Sequence, residues 1–197
     1  MERMTQTAQT SSDTASHVAI TQAAEYAAGI AAAHINPKYK HSSVPLDQPL
    51  EAFRLQQEPW RWDGVDELVY KENDTTFRSV SRRVLFDANG GQGNQVRYFE
   101  VGPGGWSTFE HHEHTHEVII FRGSGTAVIG SQVRQVQAGD LIFSKPWEWH
   151  QFSATNDEPL GFICIVTADR DRPVRPTPDD LEKIYADNPQ LRGIIRV

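Results

Sequence analysis

Between residues 96 and 166 the chain is a succession of short β-prone runs separated by turns, and this pattern limits the fold more than any other feature. Residues 96–101 form one run. Glu117-Val118-Ile119-Ile120-Phe121-Arg122 forms another and stops at Gly123-Ser124-Gly125. Residues 126–129 restart the pattern, Gly130-Ser131 turns it, and residues 132–136 return. Ala138-Gly139-Asp140 makes the next turn, before Leu141-Ile142-Phe143, and residues 160–166 close the series. Residues 78–87 read as a strand placed ahead of it. Short β-branched and aromatic runs bounded by Gly, Ser and Asp are strands and turns. Many of them without an intervening helical pattern give a closed or sandwiched all-β fold, not alternating βα units.

Set into this series is Glu110-His111-His112-Glu113-His114-Thr115-His116, which holds four of the chain's eight histidines; His150 follows further on. Imidazole mixed with carboxylate suits Fe, Mn, Ni, Zn or Cu better than an ion that prefers oxygen alone. An extended strand would put Glu110 and His112 on one face and His111 with Glu113 on the other. The alternative to a metal site is a solvated acidic-histidine patch.

These residues resemble the cupin superfamily. His112, His116 and Gly123 have the spacing of the second ligand, third ligand and glycine of its first motif, with Glu110 where the first histidine stands. Gly139-Asp140, Pro146 and His150 look like the second motif. The resemblance covers residues 95–167. His112 and His114 with Glu117 form another His-x-His plus Glu set, but that set fails the count to Gly123. Trp147 stands where the second motif has glycine, so that turn is expected to be built differently, and Ala154 replaces an asparagine. The resemblance implies an all-β double-stranded β-helix (a jelly-roll barrel) over residues 76–168. It also implies a divalent metal, Fe(II) favoured and Mn(II), Ni(II) or Zn(II) allowed, on Glu110, His112, His116 and His150. Glu110 could instead stand behind a ligating histidine, since such ligands need a partner of their own.

A metal with an open coordination position, held by three imidazoles and a carboxylate, would favour anionic oxygen ligands. Trp106, Trp149 and Phe152 are near enough in sequence to line an apolar pocket, and His114 is the candidate general base. The expected function is a metal-dependent enzyme on a small anionic or aromatic compound. The family's chemistry favours a dioxygenase, with lyase, isomerase or decarboxylase chemistry, or a non-catalytic binding barrel, as alternatives. A homodimer is expected, as in related barrels.

At 197 residues with a net charge of −7, the chain is one domain with extensions, large enough to stand without disulfides. The charge and the lack of a helix-turn-helix pattern disfavour nucleic acid. No long apolar run suggests a membrane span, and Met1-Glu2-Arg3-Met4 leads into polar sequence unlike a secretory signal. The single cysteine, Cys164, lies in an apolar run, reads as a small buried core residue, and fits a cytoplasmic setting.

The flanks are less regular. Residues 1–16 read as loose, and 17–33 as an amphipathic Ala-rich helix within an irregular extension, 17–75, that packs on the barrel or on a partner. A short helix is expected over residues 50–56. Pro59-Trp60-Arg61-Trp62 reads as packing over a barrel end. Asn89-Gly90-Gly91-Gln92-Gly93 lacks what a phosphate loop needs. In the C-terminal segment, 169–197, the interleaved charges of Arg170-Asp171-Arg172 read as a solvated face. Thr177-Pro178-Asp179-Asp180 then starts a short helix with a cap, a first-position proline and acids in the first turn.

Overall fold

The computed structural model describes residues 53–71, 74–88 and 93–197; the expected loose segment and Ala-rich helix lie outside them. Eleven strands are found among the described residues: β1 (Gln56–Glu58), β2 (Arg61–Trp62), β3 (Leu68–Val69), β4 (Arg78–Asp87), β5 (Asn94–Trp106), β6 (His116–Arg122), β7 (Ser124–Ile129), β8 (Gln132–Gln137), β9 (Leu141–Ser144), β10 (His150–Ala154) and β11 (Leu160–Thr167). All pairings are antiparallel, in the order β8-β7-β10-β5-β11-β6-β9, with β4 on the free edge of β5 and β3 on β4.

β5 turns this sheet into a barrel. Its first part pairs with β11, from Thr167↔Asn94 to Leu160↔Val101, while its last residue pairs with β10, Ser153↔Trp106. Between those partners residues 102–105 bulge out against β4. Gly105 is needed there, because a Cβ would collide with the carbonyl oxygens of Arg78 and Gly102. A strand that changes partners at a glycine bulge bends the sheet back on itself. The two-residue period then sends Val80, Phe99, Val101, Val118, Ile120, Phe152, Phe162, Cys164 and Val166 into one interior cluster,. Gly123, at φ 67, makes the tight β6–β7 turn where any side chain would meet the Pro159 carbonyl.

The helix expected over residues 50–56 is replaced, in its described part, by coil and by β1, which pairs with β2 around Pro59 and Trp60. Trp60 and Trp62 pack on the outer face of β5 against Tyr98. They act as packing, as the aromatic strip suggested, but against the outer face of the sheet where a barrel end was expected. At the other end, α1 (Pro178–Asp187) is capped by Thr177, whose hydroxyl accepts from Asp180 N while Asp180 reciprocates,. The following turn places Leu191 and Ile195 with Ile184 over Phe109 and Val128. Gln151 fastens this tail: it donates to Ser107 O and Arg196 O and accepts from Arg196 N. Full burial of a leucine such as Leu191 contributes roughly 1.5–3 kcal/mol,. Among the described residues no helix is long and apolar enough to cross a membrane.

Candidate metal centre

His116 opens β6 and, by alternation with Val118 and Ile120, faces the interior,. His150 opens β10 and shares its face with Phe152. His112 reaches the same place from the link before β6. The extended pattern expected across residues 110–116 holds at Glu110 and His111, which bridge His150 and Val174, and at His116, but the chain bends at residues 113–114 between them. The bend lets His112 meet the other two. One nitrogen from each of His112, His116 and His150 lies within 4.8 Å of the others.

The hydrogen bonds set the tautomers. His112 Nδ1 is 2.7 Å from His114 O, and His150 Nδ1 is 2.9 Å from Glu148 O. A carbonyl only accepts, so both Nδ1 atoms carry the proton and both Nε2 atoms keep a lone pair. His112 Nε2 is buried with no partner, the situation of a donor atom awaiting an ion. Burial, with neighbouring histidines adding to it, pushes His112 down to about 3 and His116 well below the usual imidazole range. Burial pushes His150 down to about 4 against the opposing bond to Glu148. All three are neutral near pH 7, as metal binding requires. The donor set fits a divalent ion of borderline softness.

Glu110 is buried beside His150, and its carboxylate is bound by Lys71 Nζ. Burial raises its pKa, with Lys71 opposing. His114 stacks on His112 with ring centroids 3.5 Å apart. Its Nε2 is 3.3 Å from His116 Nε2 and its Nδ1 is 2.6 Å from Asp171 Oδ1. His112, His114 and Asp171 form a second group of possible ligand atoms within 4.8 Å. Phe152 lies in the interior against Phe162.

The structure does not bring the two tryptophans to the histidines. Trp106 is in register with Ser153 on the outer face and lies against the Arg78 guanidinium. Trp149 stacks on His111 and Phe109 beneath the C-terminal tail. Trp106 is paired with Ser153, which alternates with the inward His150 and Phe152, and Trp149 falls one residue before His150, so both rings leave that face,. The turn before β10 also corrects an expectation: Trp147 adopts φ 61, the conformation glycine would supply. Its N–H donates to His112 O at 2.7 Å and its ring meets the edge of His111, so the turn is clamped to the histidine link. Lys71 and Asp171 were not legible beforehand, because each reaches the site from a distant irregular segment.

Comparison with known proteins identifies the family of the barrel. Residues 97–166 match the family described as the cupin domain. The chain is 44% identical to a cupin 2 conserved barrel domain protein from Rhodopseudomonas palustris, with TM-score 0.69, covering 74% of this chain and 100% of that one. It is 51% identical to a cupin-2 domain from Rhodospirillum rubrum, with TM-score 0.63, covering 69% and 91%. The chain belongs to the cupin family. Among named relatives, a Rhodospirillum rubrum protein called 1-methylthio-D-xylulose 5-phosphate methylsulfurylase is 50% identical over 143 residues, 72% of this chain and 89% of that protein.

Proposed function

We propose that this chain is a metal-dependent cupin enzyme that removes the methylthio group from a 1-methylthio-ketose 5-phosphate, the substrate class named for its Rhodospirillum rubrum relative. Beyond that identity, one observation carries the reading: the chain's single thiol faces the same barrel interior as His116, one inward step further along β6. Cys164 is in register with Val118, the next inward residue after His116, and Arg97 donates to its Sγ at 3.3 Å. A buried apolar cysteine needs no such partner.

His112, His116 and His150 would hold the ion, with Glu110, shared with Lys71, as the fourth ligand. When bound it supplies Lewis acidity at the substrate's carbonyl oxygen. The chain's own groups do the rest. Cys164 sulfur bonds to the methylthio sulfur while the bond from that sulfur to carbon 1 breaks. The electron pair left at carbon 1 is drawn into the adjacent carbonyl. The proton lost by the thiol is matched by one gained at carbon 1, with His114, oriented by Asp171, as its carrier. A second, external thiol then exchanges with the methyl disulfide and restores Cys164. Burial raises the Cys164 pKa and Arg97 opposes it, so turnover rises with pH as the thiolate forms.

The interior phenylalanines beside neutral imidazoles support a second reading, a dioxygenase using Fe(II). Mn(II), Ni(II) and Zn(II) suit the same donors. Exposed Leu141 and Phe143 on the edge strand β9 support a homodimer. A lone thiol kept reduced supports a cytoplasmic setting. The test incubates metal-loaded protein with the methylthio-ketose phosphate and a small thiol. Release of the 1-deoxyketose phosphate and a methyl disulfide is expected, and Cys164→Ser should keep its metal and lose turnover. Metal-dependent oxygen uptake without thiol transfer would replace this reading with the dioxygenase.

A further inference from the structure

Beyond Cys164 the structure gathers three guanidinium groups that form no ion pair with a described residue. Arg97 pairs in register with Cys164 on one side and Val84 on the other. Arg82 is the next inward residue on β4, and Arg170, just past β11, lies near enough for the charges of Arg97 and Arg82 to act on it. Arg97 is only 7% exposed. Its contacts are the Cys164 sulfur and the face of the Phe99 ring, and its Nε has no partner. Arg82 Nε is likewise buried and unpartnered. Arg170 donates to Thr167 O, Ala168 O and Gln95 Oε1; Asp87, which accepts from Gln95, favours its charge from a distance. None of the three forms an ion pair with a described residue, whereas Arg61, Arg83, Arg122, Arg175 and Arg192 each meet a carboxylate.

Gathering like charges, one of them buried, without ion-pair partners is costly, so a protein that does it has a use for them,. Guanidinium groups present parallel N–H donors that match the oxygens of a phosphate. Arg82 also lines a cavity of about 460 Å³ with Glu67, Tyr70 and Lys71, in which Glu67 is the one carboxylate and is already bound by Arg61 and Arg83. Arg97 faces Cys164 across β5 and β11, and Cys164 faces Val118, the next inward residue after His116, so the cluster shares an interior face with the histidines two strands away.

We infer that Arg82, Arg97 and Arg170 form an oxyanion subsite that holds the phosphate monoester of the substrate. The identity of the ester rests on the function proposed above; the anion site itself does not. Metal-loaded protein is titrated calorimetrically at constant ionic strength with inorganic phosphate, xylulose 5-phosphate and xylulose. Arg97→Met, Arg82→Met and His112→Ala are treated alike, and metal content is measured throughout. Both arginine variants should bind phosphate and the sugar phosphate at least about tenfold more weakly, the loss of one charge-assisted contact, while keeping their metal. His112→Ala should still bind phosphate, and the sugar phosphate should bind more tightly than either inorganic phosphate or xylulose. Unchanged affinity in the arginine variants, loss confined to His112→Ala, or no phosphate binding by the parent chain would overturn the subsite. Equal affinity for phosphate and sugar phosphate would overturn the assignment to a sugar ester. If Arg97→Met fails to fold, the more exposed Arg82→Met carries the same test. Absence of methylthio transfer with phosphate binding intact refutes only the reaction.

Discussion

Replacing Asp171 by asparagine tests whether the histidine link is held from outside the barrel. Asp171 accepts from Glu113 N at 2.8 Å and His114 N at 3.2 Å, and its Oδ1 lies 2.6 Å from His114 Nδ1. Burial alone would raise its pKa, but these donors bring it from an ordinary 3.8 down to about 2. Burial lowers the His114 pKa in spite of Asp171, so near pH 7 the ring is neutral and the pair is a hydrogen bond more than an ion pair. At 1.36 kcal/mol per pKa unit, the depression corresponds to roughly 2 kcal/mol of stability. Because the folded pKa is the lower one, that stability is present above pH 4 and lost as pH falls toward 2. Asparagine keeps one acceptor oxygen, so Asp171→Asn should cost about 1–2 kcal/mol in urea unfolding at pH 7. It should also weaken metal binding, since His114 O orients His112. The cost should shrink in the same assay as the pH drops below 4. A variant with parental stability at pH 7 and parental metal affinity would refute the reasoning.

The lowered histidine pKa values predict how the metal-free protein responds to acid. His112, His116 and His150 are neutral when folded but take protons near 6.5 when unfolded, so stability should fall steadily as pH drops below about 6.5; a flat unfolding profile between pH 7 and 5 would contradict the burial argument. Saturating Zn(II) should flatten that decline, read as a melting temperature that depends on metal concentration. Trp147→Gly removes a side chain from φ 61, recovering about 1–2 kcal/mol of strain against the lost contact with His111. Its unfolding midpoint should therefore stay close to the parent's, whereas Trp147→Pro, which lacks the N–H given to His112 O, should be clearly destabilised in the same measurement.

What could be read from the sequence was what repeats at short range. Turn residues at Gly123 and Gly139 and the alternating runs between them located β6 to β9, because strand and turn preferences act over a few residues. The capped C-terminal helix was legible for the same reason. The metal-ligand candidates stood out because three of them share one link, yet the link's bend did not: it depends on Asp171 and Trp147, which bond it from far along the chain. Nearness in sequence did not put Trp149 on the face of His150, because adjacent positions point opposite ways, nor Trp106, whose direction is set by its pairing with Ser153 after the β5 bulge.

The arginines show the same limit from the other side. In sequence Arg82, next to Arg83, and Arg97 are charges in strands, and an exposed strand charge is ordinary. Only the register of β4 on β5 and of β5 on β11 turns both inward and sets Arg97 against Cys164. Cross-strand register is fixed by the whole sheet, since a one-residue slip would send every side chain to the opposite face. In that slipped arrangement Arg97 would gain water, and His116 and Cys164 would lose the interior. The hydrophobic pattern that keeps Phe99, Val101 and Phe162 inside thus also forces the guanidinium in. The core's packing meets the cost of that buried charge, and an anion bound there would repay part of it.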